Sequence, residues 1–228
     1  CLLADTVLNR LTEHIVNGDF GADGSLPSQG ELALSLGVSR TVIREAMRGL
    51  CAQGLVEVSQ GCAPRVKPPD SRPAVASLRL LLRRNKATLL HLAEVRQSVE
   101  GEIAALAAER ANAEHLRQLD RAVQDLAATA QLDDRIEADV RFHRILAEAT
   151  GNPVFVLLLE TLADFLRESR QRTLAYSGVE QALVGHCAIL EAVRSCDPAK
   201  AREAMQNHLR LAARDLQSLG DRKPARGK

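Results

Sequence analysis

The sequence predicts a mostly α-helical protein in which a small domain of helices and strands precedes an all-α antiparallel bundle of six or seven helices. Aromatic residues make up only 2% of the 228 residues, whereas Ala, Leu, Arg and Glu recur throughout. This composition favours helices over the strands of a β-sandwich or barrel. Apolar residues recur at helical spacing along most of the chain. Three prolines within residues 66–73 interrupt this pattern and predict a linker.

The linker divides the chain into two predicted domains, residues 1–67 and 75–219. Residues 68–74 join them, and residues 220–228 are expected to form a flexible basic tail. With 46% hydrophobic and 26% charged residues, the composition is that of an ordinary globular protein and excludes disorder as the main description. The five cysteines lack metal-finger spacing and no apolar run reaches the length of a membrane span. We therefore expect free thiols, no membrane association and a cytoplasmic protein.

The first domain is predicted to contain three helices and a short hairpin. Apolar periodicity and capping residues predict helices over residues 3–17, 28–36 and 39–53. Ser28, with Glu31 three residues later, is a capping-box pattern that marks the start of the second helix. Alternation over residues 55–58 and a return over residues 64–67 predict two short strands. Three helices followed by a two-stranded ribbon form a winged helix-turn-helix domain.

The third helix carries the chemistry expected of a DNA-reading element. Its apolar residues fall at i, i+3, i+4 and i+7 and are expected to face the core: Ile43, Ala46, Met47 and Leu50. Arg40, Arg44 and Arg48 are spaced four apart and form one stripe away from that core. Arginine can pair bidentately with guanine or hold a phosphate, so this stripe, beside Thr41, fits a helix in the major groove. The formal net charge of +1 hides this basic patch, since residues 40–69 carry five basic and two acidic side chains.

Three segments of the first domain follow one another in a family-specific order: Leu26-Pro-Ser-Gln-Gly-Glu-Leu32, Leu36-Gly-Val-Ser-Arg-Thr-Val-Ile-Arg-Glu-Ala46 and Gly54-Leu-Val-Glu-Val58. They resemble the DNA-binding domain of GntR-superfamily regulators. The resemblance implies a homodimeric repressor or activator that reads a palindromic operator in double-stranded DNA. It also assigns base and phosphate contacts to Ser39, Arg40, Thr41 and Arg44, and the wing tip to Gly61.

Two positions depart from the family pattern. Gly30 stands where the family usually has an arginine at the start of the second helix. The wing reads Gly-Cys-Ala-Pro-Arg over residues 61–65 instead of a glycine-rich turn that contains threonine. Because of these departures, the sequence does not predict whether the wing contacts the minor groove.

The second domain is predicted to be a helical bundle. Breaks at Asn, Asp, Gly and Pro residues predict seven helical segments, over residues 75–83, 88–109, 112–130, 132–149, 153–174, 178–195 and 198–218. Apolar stripes, such as the one from Leu89 to Leu106, indicate that these helices pack together.

Four residues of the second domain have the chemistry of metal ligands. Asp139 and His143 are four residues apart on one predicted helix, so their side chains leave the same face. His186 and His208 lie on two later helices. One carboxylate and three imidazoles suit Zn, Ni, Mn or Fe in a bundle interior. By spacing alone, each histidine is better explained as an ordinary core or surface residue.

Five segments of the second domain, again in family order, are Leu92-Ala-Glu-Val-Arg-Gln-Ser-Val-Glu100, Asp139-Val-Arg-Phe-His143, Gly151-Asn-Pro153, His186-Cys-Ala-Ile-Leu190 and Met205-Gln-Asn-His-Leu209. They resemble the FCD effector domain of the FadR subfamily. The resemblance implies a divalent transition metal held by Asp139, His143, His186 and His208, and a small organic acid as effector. Arg96 matches the arginine that often holds the effector carboxylate, a charge-assisted interaction. The alternative for this arginine is an ion pair with a glutamate four residues later.

The favoured function is a ligand-responsive transcriptional regulator, with a repressor preferred, whose helical domain binds a small organic or sugar acid. A metal-sensing regulator is the first alternative, because three nitrogen ligands and one carboxylate could make the metal itself the signal. A metal-dependent hydrolase is the second, because such a metal can activate water. No general base accompanies the four ligands in the sequence, so we expect no enzyme activity.

Overall fold

The computed structural model describes residues 2–20, 24–59, 63–68, 72–85 and 88–221. The chain divides into two compact units, with the boundary between Ser77 and Leu78. Among the described helices, none combines the length and the apolar character needed to cross a membrane. The described cysteines, Cys51, Cys187 and Cys196, are free thiols. The fold class is the predicted one, with a winged helix-turn-helix unit ahead of an all-α bundle.

The described residues of the first unit form three helices and two strands: α1 (Leu2–Asn17), α2 (Gln29–Leu36), α3 (Arg40–Ala52), β1 (Val56–Glu57) and β2 (Arg65–Val66). Each element begins and ends within one residue of its predicted bounds. The strands pair antiparallel, with Val56 opposite Val66. The described residues thus include the helix-turn-helix and the base of the wing, while the wing tip predicted at Gly61 lies outside them.

Three caps fix both ends of α2 and the start of α3. The Ser28 hydroxyl accepts the backbone N–H of Glu31 at 3.2 Å, and the Glu31 carboxylate accepts the backbone N–H of Ser28 at 2.8 Å. This confirms the predicted capping box. Gly37 ends α2 in the left-handed conformation, at φ 66°, which glycine adopts without a steric penalty. Ser39 then caps α3 by accepting the backbone N–H of Val42 at 3.3 Å.

The buried face of α3 organises the core of the first unit. Its four predicted core residues are each at most 2% exposed: Ile43, Ala46, Met47 and Leu50. They cluster with apolar residues of α1 and α2, among them Val7, Leu11 and Leu32. Because residues four apart share a helix face, burial of this side leaves Arg40, Arg44 and Arg48 exposed.

In the part of the chain that the structure describes, the second unit has seven helices, the first of which begins before the unit boundary: α4 (Arg72–Arg84), α5 (Leu89–Arg110), α6 (Ala113–Ala128), α7 (Leu132–Ala149), α8 (Pro153–Ser177), α9 (Glu180–Arg194) and α10 (Pro198–Asp221). Their ends differ from the predicted ends by three residues at most. Helix α5 packs along α10, and α7 packs against both α6 and α8. Alanines at 104, 107 and 108 on α5 are almost completely buried, and their small side chains allow neighbouring helices to approach closely.

Two helix ends extend beyond the expected domain. Residues 72–74, expected in the linker, form the first turn of α4. Pro73 is tolerated there because the N–H groups of a first helical turn have no intrahelical partner. Helix α10 continues to Asp221, two residues into the expected tail, and residues 222–228 lie outside the described part of the chain.

Two histidines at helix starts have a capping role that the sequence analysis missed. Thr88 and His91 exchange hydrogen bonds at the start of α5, with the Thr88 backbone N–H 3.2 Å from His91 Nδ1. Asn112 and His115 repeat this arrangement at the start of α6. Histidine thus replaces the glutamate of the usual capping box in both helices.

Candidate metal and effector site

The four predicted ligand residues meet in the interior of the bundle. Asp139 and His143 come from α7, His186 from α9 and His208 from α10, and each is at most 4% exposed. One possible ligand atom from each residue lies within 4.8 Å of the others. Phe142 stacks on the His186 ring with a centroid separation of 4.1 Å and an angle of 10°, which holds that ring in place. The structure therefore brings together residues that are up to 69 positions apart in sequence.

Several polar atoms of this cluster are buried without a hydrogen-bond partner in the described protein. They are Asp139 Oδ1, both ring nitrogens of His186, and Nδ1 of His143, which has the Glu100 carboxylate as an ion-pair neighbour at 2.5 Å. His186 Nε2 lies 3.3 Å from Asp139 Oδ1, close enough for an electrostatic contact but without the alignment of a hydrogen bond. Unsatisfied buried polar atoms are costly in a folded protein, by about 1–3 kcal/mol each. A bound ligand that contacts several of these atoms at once would remove this energetic cost.

The protonation states of Asp139, His186 and His208 suit a cation. Burial lowers the pKa of His186 to about 4, despite the opposing effect of Asp139. Burial also lowers the pKa of His208 well below its usual range, and the nearby His186 and Arg170 act in the same direction. Burial raises the pKa of Asp139, but Arg170 and His186 hold it well below its usual range. Neutral imidazoles and an ionised carboxylate are the forms that ligate a metal.

Arg170 on α8 is a central member of the site that the sequence analysis missed. It is 2% exposed, and its Nε donates to Asp139 Oδ2 at 2.5 Å. Its Nη2 lies 3.2 Å from Nε2 of His143 and 3.2 Å from Nε2 of His208. The available signal was its position in the apolar stripe of α8, where it follows Leu166 by four residues. An arginine at a core position of a helix requires a buried partner.

Arg96 reaches the same network through Glu100. Arg96 is 5% exposed and its guanidinium pairs with the Glu100 carboxylate, which is 1% exposed. The Arg96 Nε contact is with Oε1 of Glu100, and Oε2 of the same carboxylate lies 2.5 Å from Nδ1 of His143. Burial opposes ionisation of Glu100, yet Arg96 and His143 hold its pKa well below the usual range. The ion pair considered as the alternative role of Arg96 is present, and it is buried in the bundle instead of lying on its surface.

Two clefts adjoin this network. One has the buried residues Arg96 and Ser169 in a mainly apolar lining that includes Leu92, Phe165 and Leu209. The other is also mainly apolar, with Leu174, Ala182 and Ala212 in its lining, and polar side chains of α8, α9 and α10 border it: Arg170, Thr173, Ser177, Gln181, His208 and Asp215. The Thr173 hydroxyl is buried without a hydrogen-bond partner in the described residues. The second cleft therefore offers hydroxyl, amide and guanidinium groups to a polar ligand.

Gly185 on α9 is a further residue that the sequence analysis missed. A Cβ atom at this position would lie 3.0 Å from both Cβ and Cγ of His208, and still closer to Nδ1 of the same ring. Contacts this short do not occur between real side chains without a shift of one of them. The absence of a side chain at Gly185 thus allows His208 to take its position in the cluster.

We expect Gly185→Ala to displace His208 and to lower the free energy of unfolding by about 1–3 kcal/mol, the usual cost of overpacking. Affinity for added Zn²⁺ should fall together with stability, because one ligand of the cluster is moved. Thermal unfolding with and without Zn²⁺ measures both effects. Val184→Ala is the control, since Val184 is the preceding residue on α9 and is 72% exposed. Equal metal affinity in Gly185→Ala and in the unmodified protein would contradict the role of this glycine.

The candidate DNA-binding face lies on α3 in the first unit. Arg40, Thr41, Arg44 and Arg48 are exposed there, whereas the hydroxyl of Ser39 is engaged as the N-cap of the same helix. A Cβ atom at Gly30 would lie 3.7 Å from Arg40 Nη2, an ordinary van der Waals distance. The departure at Gly30 is thus located beside one end of the arginine stripe.

Comparison with known proteins identifies both parts of the chain. Residues 3–66 match the family of bacterial regulatory proteins of the gntR type, and residues 91–211 match the FCD domain. The chain is 32% identical to the HTH-type transcriptional repressor NanR of Cronobacter sakazakii over 234 residues, which cover 98% of this chain and 89% of that protein. It is 31% identical to NanR of Salmonella typhimurium over 227 residues, covering 96% and 86% of the two chains.

A solved structure supports the same assignment. Streptococcus agalactiae GntR superposes with a TM-score of 0.75 and 27% sequence identity, covering 92% of this chain and 99% of that chain. The match spans both the winged helix-turn-helix unit and the helical bundle. Together with the two family matches and the NanR relatives, it shows that the chain belongs to the GntR family of bacterial regulatory proteins, carries an FCD domain, and is a transcriptional regulator and not an enzyme.

Proposed function

We propose that this regulator is a repressor whose FCD domain binds a divalent transition metal and, beside it, a small organic or sugar acid that controls operator binding. The observation that carries this proposal is the buried cluster of Asp139, His143, His186 and His208, whose possible ligand atoms lie within 4.8 Å of one another. The NanR relatives are named as repressors, which supports the same role for this chain.

The donor set fits a metal such as Zn, Ni or Mn. The imidazoles of His186 and His208 are held neutral by burial, and Asp139 remains ionised. Unpartnered atoms of His186 and Asp139 would gain a partner. His143 Nδ1 faces Glu100, which is the outer contact that orients a metal-bound imidazole. When bound, the metal would supply Lewis acidity for a carboxylate or hydroxyl of the effector.

The effector is proposed to contact Arg96 from the adjoining cleft. Two N–H groups of this guanidinium face Glu100, so the remaining donors can hold a carboxylate. The second cleft, beside Arg170 and Thr173, adds a few donors and acceptors suited to hydroxyl groups. This combination favours a hydroxylated or sugar acid over a purely apolar one.

The proposed operator contact uses the exposed face of α3, with Ser39, Arg40, Thr41, Arg44 and Arg48, and the wing tip at Gly61. A single winged helix-turn-helix unit contacts only one half-site, so we propose a homodimer on a palindromic operator. The regulator would act in the cytoplasm, where the bacterial chromosome lies. An effector that changes the free-energy difference between two states of the dimer by about 1–3 kcal/mol changes operator occupancy several-fold.

The oligomeric state is directly measurable. We expect sedimentation equilibrium at micromolar concentration to give twice the 24.7 kDa mass of one chain. The helical unit is expected to supply most of the interface, since each DNA-binding unit must remain free to reach its half-site. A species of single-chain mass at the concentration that protects the operator would contradict the dimer.

The function is tested by titrating operator affinity separately with metal and with acids. Protein stripped of metal is measured with labelled operator, first alone, then with Zn²⁺, and then with Zn²⁺ and a panel of hydroxy and sugar acids. The proposal expects release of DNA only when an acid is present with the metal. Release by metal alone would instead indicate a metal sensor. Release by acid to the same extent without metal would exclude a role for the metal in the response.

A further inference from the structure

We propose that Arg170 is a built-in competitor of the metal: its guanidinium and the cation use the same lone pairs of His143 and His208. This inference rests on the metal site proposed above and adds a regulatory residue to it. A single side chain on α8 then sets how tightly the cluster binds metal.

The competition follows from what each nitrogen can do. Arg170 can only donate hydrogen bonds, so the Nε2 atoms of His143 and His208, each 3.2 Å from Arg170 Nη2, must present their lone pairs to it. The carboxylate of Glu100, 2.5 Å from Nδ1 of His143, favours a proton on Nδ1 and thereby a lone pair on Nε2. A neutral imidazole nitrogen has one lone pair, which serves either a guanidinium N–H or a metal.

The other half of the cluster is free of this competition. Arg170 Nε occupies Oδ2 of Asp139, while Oδ1 has no hydrogen-bond partner among the described residues. His186 likewise forms no hydrogen bond there. Asp139 can therefore keep its contact with Arg170 Nε and still offer Oδ1 to a cation. The Nη2 end of the guanidinium must withdraw from both imidazoles before a cation can use their lone pairs.

Charge works in the same direction. Among the buried residues described in the second unit, the positive charges of Arg96 and Arg170 balance the negative charges of Glu100 and Asp139. Three histidines are buried beside them. A divalent cation adds positive charge next to an arginine that is already there, which opposes binding until an anion enters. The N–H groups that leave His143 and His208 belong to Arg170, which lines the second cleft, where they can hold that anion. Arg170 would thus make binding of metal and of acid mutually favourable.

The test measures Zn²⁺ affinity by competition with a chromophoric chelator, using stripped, untagged protein. Arg170→Gln removes the charge and the donor pair while its amide can still donate to Asp139. We expect this variant to bind Zn²⁺ at least about tenfold more tightly than the unmodified protein, since competitor and repulsion are both removed. If the variant is less stable without metal, its Zn²⁺-induced rise in unfolding midpoint should still exceed that of the unmodified protein.

Two control variants separate direct competition from a general loss of charge. Arg172→Gln alters an exposed arginine on α8 that pairs with Glu168, and should leave Zn²⁺ affinity unchanged. Arg96→Gln removes an equal buried charge that contacts Glu100 instead of the histidine lone pairs, and should raise affinity less than Arg170→Gln. Equal gains from Arg96→Gln and Arg170→Gln would overturn the competition.

The remaining outcomes distinguish this inference from the proposed function. Unchanged or weaker Zn²⁺ binding by Arg170→Gln, with binding by the unmodified protein intact, would overturn the role of Arg170 and leave the metal site standing. No binding by either protein would overturn the metal site and the competition together.

Discussion

We expect operator binding to fall sharply when Arg40 or Arg44 is replaced by alanine. Each arginine is exposed on α3, opposite the buried face formed by Ile43 and Leu50, so it is free to enter the major groove. Loss of a base-reading arginine costs about 1–3 kcal/mol per contact, and a dimer loses the contact in both half-sites. Titration of labelled operator by fluorescence anisotropy measures the change.

The controls for this experiment lie in the same unit. Both alanine variants should keep their unfolding midpoint, because they change only exposed positions in a helix. Arg10→Ala, at an exposed position of α1 outside the arginine stripe, should retain most of the operator affinity. Unchanged affinity in both Arg40→Ala and Arg44→Ala would show that another surface reads the DNA. A footprint without a palindromic protected region would exclude the proposed operator type.

His143→Ala should remove the metal and blunt the response to effector, while operator binding by the winged unit remains. His143 is one of four candidate ligands, and it also faces Glu100 and Arg170, so its loss leaves both charged groups with fewer partners. We expect a cost of about 2–4 kcal/mol in unfolding free energy from the cavity and the unpaired groups. Metal content per chain, measured by elemental analysis of untagged protein, should fall to near zero.

His91→Ala is the matched control, because His91 is an exposed capping histidine of the same unit. It should retain metal content and effector response, with at most a small loss of stability from the weakened cap. Release of DNA by His143→Ala at the same effector concentration as the unmodified protein would reduce the metal to a structural role. An absence of metal from the unmodified, untagged protein would count against the site itself.

Local patterns were sufficient to predict the helices and the DNA-facing stripe. Helical periodicity and caps depend on residues within about one turn of each other, so the ends of α2 and α3 could be placed within one residue from the sequence. The position of Arg40, Arg44 and Arg48 opposite the core follows from the same period. The start of α4 was placed too late, because prolines disfavour a helix interior but are accepted in its first turn.

The metal-site prediction combined one local feature with a resemblance. The i, i+4 spacing of Asp139 and His143 put both side chains on one face of α7, while the inclusion of His186 and His208 came from similarity to the FCD domain. The structure then brought all four together, within 4.8 Å. Their role as metal ligands and the role of Arg96 as an effector contact remain predictions.

The sequence by itself therefore determined the helical architecture, the basic face of α3 and the shared face of Asp139 and His143, whereas His186 and His208 joined the candidate ligand set through the family resemblance. Only the tertiary structure decided that Arg170 and Glu100 are buried in contact with that set, and that Gly185 makes room for His208. A helical period tells which residues share a face, but not which other helix covers that face. Arg170 and Asp139 are 31 residues apart, and their contact exists because α7 and α8 pack together with a charged pair inside. Burial of such a pair depends on long-range packing, which no local pattern encodes.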